Sequence, residues 1–393
     1  MSLSIATWLL AVGTLLGTGC WFATFICAFF FRSRRPPSAP DFAHGLPPVT
    51  LLKPVYGLEK NLKENLRTAC LQDYPEYEVV FSVQRPDDPA LPVLRELERE
   101  FGPRRACVVV EQVEVGLNGK INNLCGAWRH ARHDVLVISD SDVRLDASYL
   151  RCIVAPLADP DVGAVTTFFK ARSANTWYEK LELLGLNADQ FAMALFSSAT
   201  RLVQFCFGAS MALRRETLER IGGFEAFGHS LVEDTEMGRE IMRLGRRLVV
   251  VPHVVETTVD LSSVVEWAKK QIYWDQNTLA AVPGVFAASA LLRVIPLSLL
   301  FATLRGFDTI GVGLFGVATA VRLACAAAVL GVALRDFEGL RALWLVPLRD
   351  LLGVVWALRA TFSRKVVWRG VELSVASGGR LVPRGAAAVE HGS

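Results

Sequence analysis

An α/β domain with a mainly parallel sheet, bracketed by membrane helices at both ends, is the fold class this sequence predicts. Three observations carry that expectation. Short β-branched runs alternate with helical patterns from residue 48 to residue 260. An uncharged apolar stretch covers residues 5–31, and three more apolar stretches follow residue 280. The 393 residues are 52% apolar, with a mean hydropathy of +0.33, which exceeds what a water-soluble domain carries and places part of the chain in lipid.

From the N-terminus, IATWLLAVGTLLGTGCWFATFICAFFF at residues 5–31 is longer than the roughly 20 apolar residues that cross a bilayer, and predicts a transmembrane helix. A cleaved leader is the competing reading. The stretch is too long for one, has no basic residue before it, and runs directly into Arg32-Ser33-Arg34-Arg35. Those arginines stay on the cytoplasmic side by the positive-inside rule, so the chain is expected to be an integral membrane protein with its next segment on the cytoplasmic face. Residues 1–35 form the anchor and the Pro-rich residues 36–47 a linker.

Residues 48–260 carry the α/β pattern. VTLLKPV, YEVVFSV, ACVVVEQV and DVLVISD read as strands, separated by segments rich in Leu, Glu, Arg and Ala, as βαβ units require. Beyond Asp88, Leu91, Leu94, Leu97 and Phe101 recur at near-helical spacing among charged residues, which predicts a helix with one buried face. Open α/β sheets bind ligands beyond the carboxyl ends of their strands. Three acidic clusters meet or approach that condition: Asp87-Asp88 after YEVVFSVQ, Asp140-Ser141-Asp142 after DVLVIS, and Glu233-Asp234 ahead of TEMGREIMRLG.

An apolar strand ending in Asp140-x-Asp142 offers hard oxygen donors of the kind that hold Mg2+ or Mn2+ against a diphosphate; such an ion takes only one or two protein carboxylates. A solvated turn with an aspartate helix cap would look similar. With a metal there, a general base is still needed for an acceptor hydroxyl, and Asp234, beside Glu233 at a helix start, is the candidate. First-turn acids that complement a helix dipole are the plainer alternative, and His229 and His253 are competitors for the base. VGLNGKINN at residues 115–123 places two glycines and Lys120 between a strand and a helix. Backbone N–H groups and the Lys120 charge suit a phosphate there, although an ordinary strand–helix turn would read the same.

The net charge of +3 supports no broad polyanion-binding surface and argues against nucleic acid as a partner. The eight cysteines lack a C-x-x-C pair or a His at ligand spacing, and read as reduced thiols. Residues 261–279 suggest an amphipathic interfacial helix, with Lys269 and Lys270 toward headgroups and Trp267 and Trp274 suited to the membrane–water boundary. Residues 280–304, 308–334 and 340–362 approach spanning length, interrupted by Arg293, Arg322 and Arg349, which either snorkel or face other helices. Residues 280–362 are therefore assigned to membrane helices and 363–393 to a cytoplasmic or flexible tail. Three full crossings would leave the basic residues of 363–369 outside, against the charge rule, so the crossing number stays open. No oligomeric state is legible in the sequence.

The ordered motifs resemble the ceramide glucosyltransferase-like family of membrane-bound inverting GT-A enzymes, glycosyltransferase family 21. They are KPVYG at residues 53–57, QDYPEYEVVFSVQ at 72–84, DDPA at 87–90, GKINNL at 119–124, SDSDVR at 139–144 and GGFEAFGHSLVED at 222–234. The resemblance implies a nucleotide-diphospho-sugar transferase domain, a divalent metal (Mg2+ or Mn2+), a UDP-sugar donor and a lipid acceptor in the bilayer. Ceramide is the family default, while a hopanoid or diacylglycerol is compatible. By position it implies Asp87 or Asp88 near the nucleoside, Asp140 and Asp142 at the diphosphate and metal, and Asp234 as base at the acceptor. Members close with Q/R-x-x-R-W. Here Lys270-Gln271-Ile272-Tyr273-Trp274 keeps Trp274 but has Lys270 and Tyr273 at the two basic positions. Tyr273 holds no permanent charge, so Lys269 and Lys270 are expected to steady the leaving diphosphate. A processive polysaccharide synthase shares the domain type, but few membrane helices follow the domain from which to build a polymer channel.

Overall fold

The computed structural model describes residues 5–31, 45–201, 206–363, 365–368, 371–375 and 379–383. Arg32, Arg34 and Arg35, most of the linker and much of the tail lie outside the described residues. The chain forms two compact units, one of Arg35–Arg172, Val203–Asp260 and Val375–Ser393, the other of Met1–Arg34, Ser173–Leu202 and Leu261–Ser374.

The first unit is built on an eight-stranded mixed sheet. Its strands are β1 (Val49–Pro54), β2 (Tyr77–Val83), β3 (Ala106–Val110), β4 (Val135–Ser139), β5 (Val143–Arg144), β6 (Val162–Arg172), β7 (Ser210–Arg214) and β8 (Arg247–Thr258), in the order β3-β2-β1-β4-β7-β6-β8-β5. The run β3-β2-β1-β4 is parallel, as is the pair β6 and β8; β7 lies antiparallel between β4 and β6, and β5 antiparallel to β8. Every residue of β1 and β2 is buried, as expected for apolar strands covered on both faces. Alternate residues serve opposite faces: Leu51, Phe81 and Val137 enter one apolar cluster, and their neighbours Leu52, Val80 and Leu136 the other. Leu94 and Leu97 of the helix Leu91–Phe101 are buried, as their spacing predicts. From β1 the chain runs outward through β2 and β3, then returns to the other side of β1 at β4. That reversal puts the switch point, where ligands of open α/β sheets bind, beyond the carboxyl ends of β1 and β4. Lys365–Trp368 and Val371–Val375, nearly all in the other unit, pair as antiparallel strands.

The second unit is helical. Ile5–Phe31 and Thr309–Leu334 are long and apolar enough to cross a membrane. The stretch 280–304, expected as one segment, is instead the pair Pro283–Leu292 and Val294–Leu304, bent by 57° at Arg293, so among the described residues the candidate spans number two, or three if the pair is one span. The last apolar segment is reduced to the 17-residue helix Val346–Phe362. Of the two readings of the interrupting arginines, facing other helices holds. Arg322, 1% exposed, donates to both oxygens of Asp350 at 3.0 and 3.1 Å and to Asp189, and its guanidinium lies 4.1 Å from the ring centre of Trp21. Arg349 pairs with Asp189 at 2.9 Å and Arg293 approaches Asp275 at 3.8 Å. The helix expected at the interface runs Val264–Ala281, with Ser263 accepting the Glu266 N–H at its start. One expectation fails there: Trp267 is 1% exposed and packs edge-on against Trp356, so it is core and not a boundary anchor, whereas Trp274 is exposed. All eight cysteines are free thiols.

Candidate active site

The Asp-x-Asp turn leaves β4 at Ser139 and enters β5 at Val143. Lys53, near the end of β1 and fully buried, reaches beneath it, donating to Ser139 Oγ (3.0 Å), Asp140 O (2.7 Å) and Val143 O (3.2 Å). Burial lowers the Lys53 pKa to about 8, with Asp140, Asp142 and Glu59 opposing the fall. From β8, Thr257 donates its hydroxyl to Asp142 Oδ2 at 2.6 Å, and Asn65 donates to the Asp142 carbonyl at 3.1 Å. The turn is thus held from three sides.

The helix Gly119–Arg129 opens with Asn118 as its cap. Asn118 Oδ1 accepts the N–H groups of Lys120 and Ile121, while its Nδ2 donates to Ser230 O (2.9 Å) and to Glu233 Oε2 (3.1 Å). This cap ties the Gly-rich loop to the segment before the helix Glu233–Arg243 and aims Lys120 between the acids. The Lys120 ammonium contacts Asp140 Oδ1 at 2.8 Å and Glu233 Oε1 at 3.1 Å, and donates to Gly208 O at 3.1 Å. Burial alone would lower its pKa, but the charges of Asp140, Glu233 and Asp234 outweigh burial and hold it above the ordinary lysine value. Asp234 accepts the Gly208 N–H at 2.7 Å and the Thr235 N–H at 2.6 Å. Burial, then the neighbouring Glu233 charge, pushes its carboxyl up to about 6 against the opposing pull of Lys120 and the two N–H donors.

Asp140, Lys120, Glu233 and Asp234 therefore form one cluster, with Asp142 on the same turn as Asp140. Asp87 and Asp88 stand beyond β2 and differ in use. Asp88 accepts the N–H groups of Gly57 (3.1 and 3.2 Å to its two oxygens) and Ala90 (2.9 Å), which ties the loop after β1 to the next helix. Asp87 is exposed and pairs with Arg85 at 2.7 Å, a bond that holds its carboxyl below the usual range. Lys270, Tyr273 and Trp274 belong to the helical unit. There Lys270 pairs with Glu182 at 3.1 Å, Gln271 donates to the same carboxylate at 2.6 Å, and the Tyr273 and Trp274 rings meet edge to face. Lys269 is exposed on that helix.

Of the two histidines, His229 is exposed. His253 bonds Asp146 at 2.9 Å; burial would lower its pKa, but Asp146 and Cys152 raise it to about 9, so it is protonated near neutrality and unsuited to accept a proton. Sequence reading did not single out Lys53, Asn118 or Thr257. The legible signals were a lysine inside an otherwise apolar strand and an asparagine just before a helix start.

Among the described residues no three His, Cys, Asp or Glu side chains gather as a metal cage. A cage is not what Mg2+ or Mn2+ needs when phosphate oxygens complete its shell, and the two carboxylates of one turn are a donor set that fits either ion.

A mannosyltransferase from Pyrobaculum calidifontis, solved with GDP-mannose and Mn2+, superposes with a TM-score of 0.56 at 20% identity, covering 91% of this chain and 99% of that one, and shows the fold to be that of a GT-A domain with flanking helices. Ceramide glucosyltransferase 1 of Caenorhabditis elegans is 23% identical over 295 residues, 75% of this chain and 63% of that protein. Ceramide glucosyltransferase of Gibberella zeae is 30% identical over 175 residues, 40% of this chain and 33% of that protein. Each match spans less than two thirds of the relative's length. The sequence model of glycosyl transferase family 21 matches residues 9–381, nearly the whole chain, which therefore belongs to glycosyl transferase family 21.

Proposed function

We propose that this protein moves a hexose from a UDP-sugar to a hydroxyl of a membrane lipid, ceramide first among the candidates, by a single displacement with inversion on the cytoplasmic face. The observation that carries the reading is the meeting of Asp140, Lys120, Glu233 and Asp234 at the carboxyl edge of the sheet, from separate parts of the chain. Asp234 is the base: its carboxyl, raised to about 6, is ionised at neutral pH yet more basic than an ordinary aspartate, which suits proton removal from an alcohol. Asp140 and Asp142 would hold the divalent ion, which when bound supplies positive charge to the departing diphosphate. Lys120 adds a point charge at the same place, and its link to Glu233 keeps the donor end and the base end of the cluster in fixed register. The resemblance assigns Asp87 or Asp88 to the nucleoside; at the altered Q/R-x-x-R-W motif this chain keeps Trp274, while Lys270 and Tyr273 replace the family's basic residues and Lys270 would steady the leaving diphosphate as a point charge. Ceramide glucosyltransferases among the relatives and the apolar helices of this chain support a lipid acceptor. A membrane-held enzyme meets such an acceptor at high effective concentration.

The test is a reaction of the detergent-purified chain with UDP-hexoses and ceramide, with Mn2+ or with chelator, read by mass spectrometry. A monoglycosylated lipid of inverted anomeric configuration, formed only with metal, is expected. A polymeric product, or retention of configuration, would overturn the reading.

A further inference from the structure

We infer that Lys53 is a positioning residue: its buried ammonium fastens the backbone of the turn that presents Asp140 and Asp142 to the donor. Lysine is almost never fully buried without an anionic partner in contact, yet Lys53 is 0% exposed and its three acceptors are all neutral. Those acceptors bracket the Asp-x-Asp: Ser139 Oγ before it, the Asp140 carbonyl on it, and the Val143 carbonyl after it. An ammonium has three donors in tetrahedral array, so one side chain matches all three oxygens and fixes both ends of a four-residue turn.

Burying a charge for packing alone is costly, and an apolar side chain of similar volume would fill the space. What an apolar residue cannot do is turn two peptide oxygens inward and set a positive charge beneath two carboxylates that repel each other. The division of labour is visible in the contacts: Lys120 and Thr257 hold the carboxylates, whereas Lys53 holds the backbone that carries them.

The inference rests on the reading of Asp140 and Asp142 as the donor site. It is tested on the full chain in detergent by calorimetric titration of Mn2+ in the presence of UDP, with thermal melting as a check of folding. Loss of groups that orient metal ligands typically weakens metal affinity about 10–100-fold, and Lys53→Met is expected to raise the half-saturating Mn2+ concentration by that factor. Ser139→Ala, which removes one acceptor of three, is expected to give a smaller shift in the same direction. A folded Lys53→Met chain with wild-type Mn2+ affinity overturns the inference, even if it melts earlier, because packing alone would then explain the lysine. Should Lys53→Met not fold, Ser139→Ala decides, and unchanged Mn2+ affinity in that variant overturns the inference. A wild-type chain whose UDP binding ignores Mn2+ overturns the donor-site reading itself, a result seen before any variant is made.

Discussion

At the scale of single residues, the site works by setting unequal proton affinities on neighbouring groups. As the proposed base, Asp234, with its carboxyl raised to about 6, would accept a proton only above that value. The expected rate profile therefore climbs with pH through about 6 and then levels. Asp234→Asn should remove that limb and cost about 10²–10⁴-fold in turnover, while UDP affinity stays within a few-fold. Initial rates across pH, beside UDP titrations, check both, and near-normal turnover would take Asp234 out of the role. Stability moves with the opposite sign: the folded chain holds this proton more tightly than the ordinary value of 3.8, so the contribution is complete below that value and is lost as pH rises through about 6. Lys120 bears on both ends of the cluster. Lys120→Met would leave Asp140 and Glu233 facing each other without a counter-charge, at a cost of about 3–5 kcal/mol for a broken buried pair, with the lower figure expected because the Asp140 side chain is 34% exposed. A melting temperature equal to the wild type would show that the pair carries little of the fold.

At the scale of elements, the site depends on how closely two loops approach. A Cβ on Gly116 would lie 2.1 Å from the carbonyl oxygen of Gly228, and nearby Asn118 N–H donates to that same oxygen at 2.8 Å. Backbone against backbone has no flexible end to yield. Gly116→Ala must push the loop before Glu233–Arg243 away from the loop before Gly119–Arg129, which separates Asn118 from Ser230 and Glu233. Lower turnover by 10-fold or more is the expected outcome, since misplacing such groups by about 1 Å costs on the order of 10²-fold. Gly284→Ala, with nothing near the added carbon, is the control.

The sequence shows the same contrast between what is local and what is not. Asp140 and Asp142 could be read because they follow an apolar strand, and Leu94 and Leu97 because a helix repeats its buried face. Thr257 on β8, the partner of Asp142, could not be read, since its partner is set by strand order rather than by any nearby pattern. Trp267 was misjudged for a related reason: an indole at the end of an amphipathic pattern looks like a boundary residue until Trp356, from a distant helix, covers it. Arg322 likewise needed Asp189 and Asp350 to decide between its two readings.

At the scale of the whole molecule, backbone pairing constrains how the chain threads the bilayer. Leu231 N–H donates to Gly379 O at 3.0 Å and Leu381 N–H to His229 O at 2.7 Å, so the tail residues 379–381 lie on the same face of the membrane as the segment before Glu233. Between Leu231 and Gly379 the chain must then cross an even number of times. Thr309–Leu334, long and apolar enough to cross, is the candidate for one crossing. For the second, the bent pair Pro283–Leu292 and Val294–Leu304 is a better candidate than Val346–Phe362, which has only 17 residues and contains Arg349, Asp350 and Arg359. On the proposal that the positive-inside rule holds the end of the first helix in the cytoplasm, the segment before Glu233 and residues 379–381 are expected on that face, and the turn 305–308 on the other. A cysteine at Phe307, which is 56% exposed, should react with a membrane-impermeant maleimide in intact cells above the background of the unsubstituted chain, whereas one at the exposed Pro383 should react only after permeabilisation. Labelling of Pro383→Cys in intact cells would break the parity, and silence at Phe307→Cys together with labelling at Phe337→Cys would move the second crossing to Val346–Phe362.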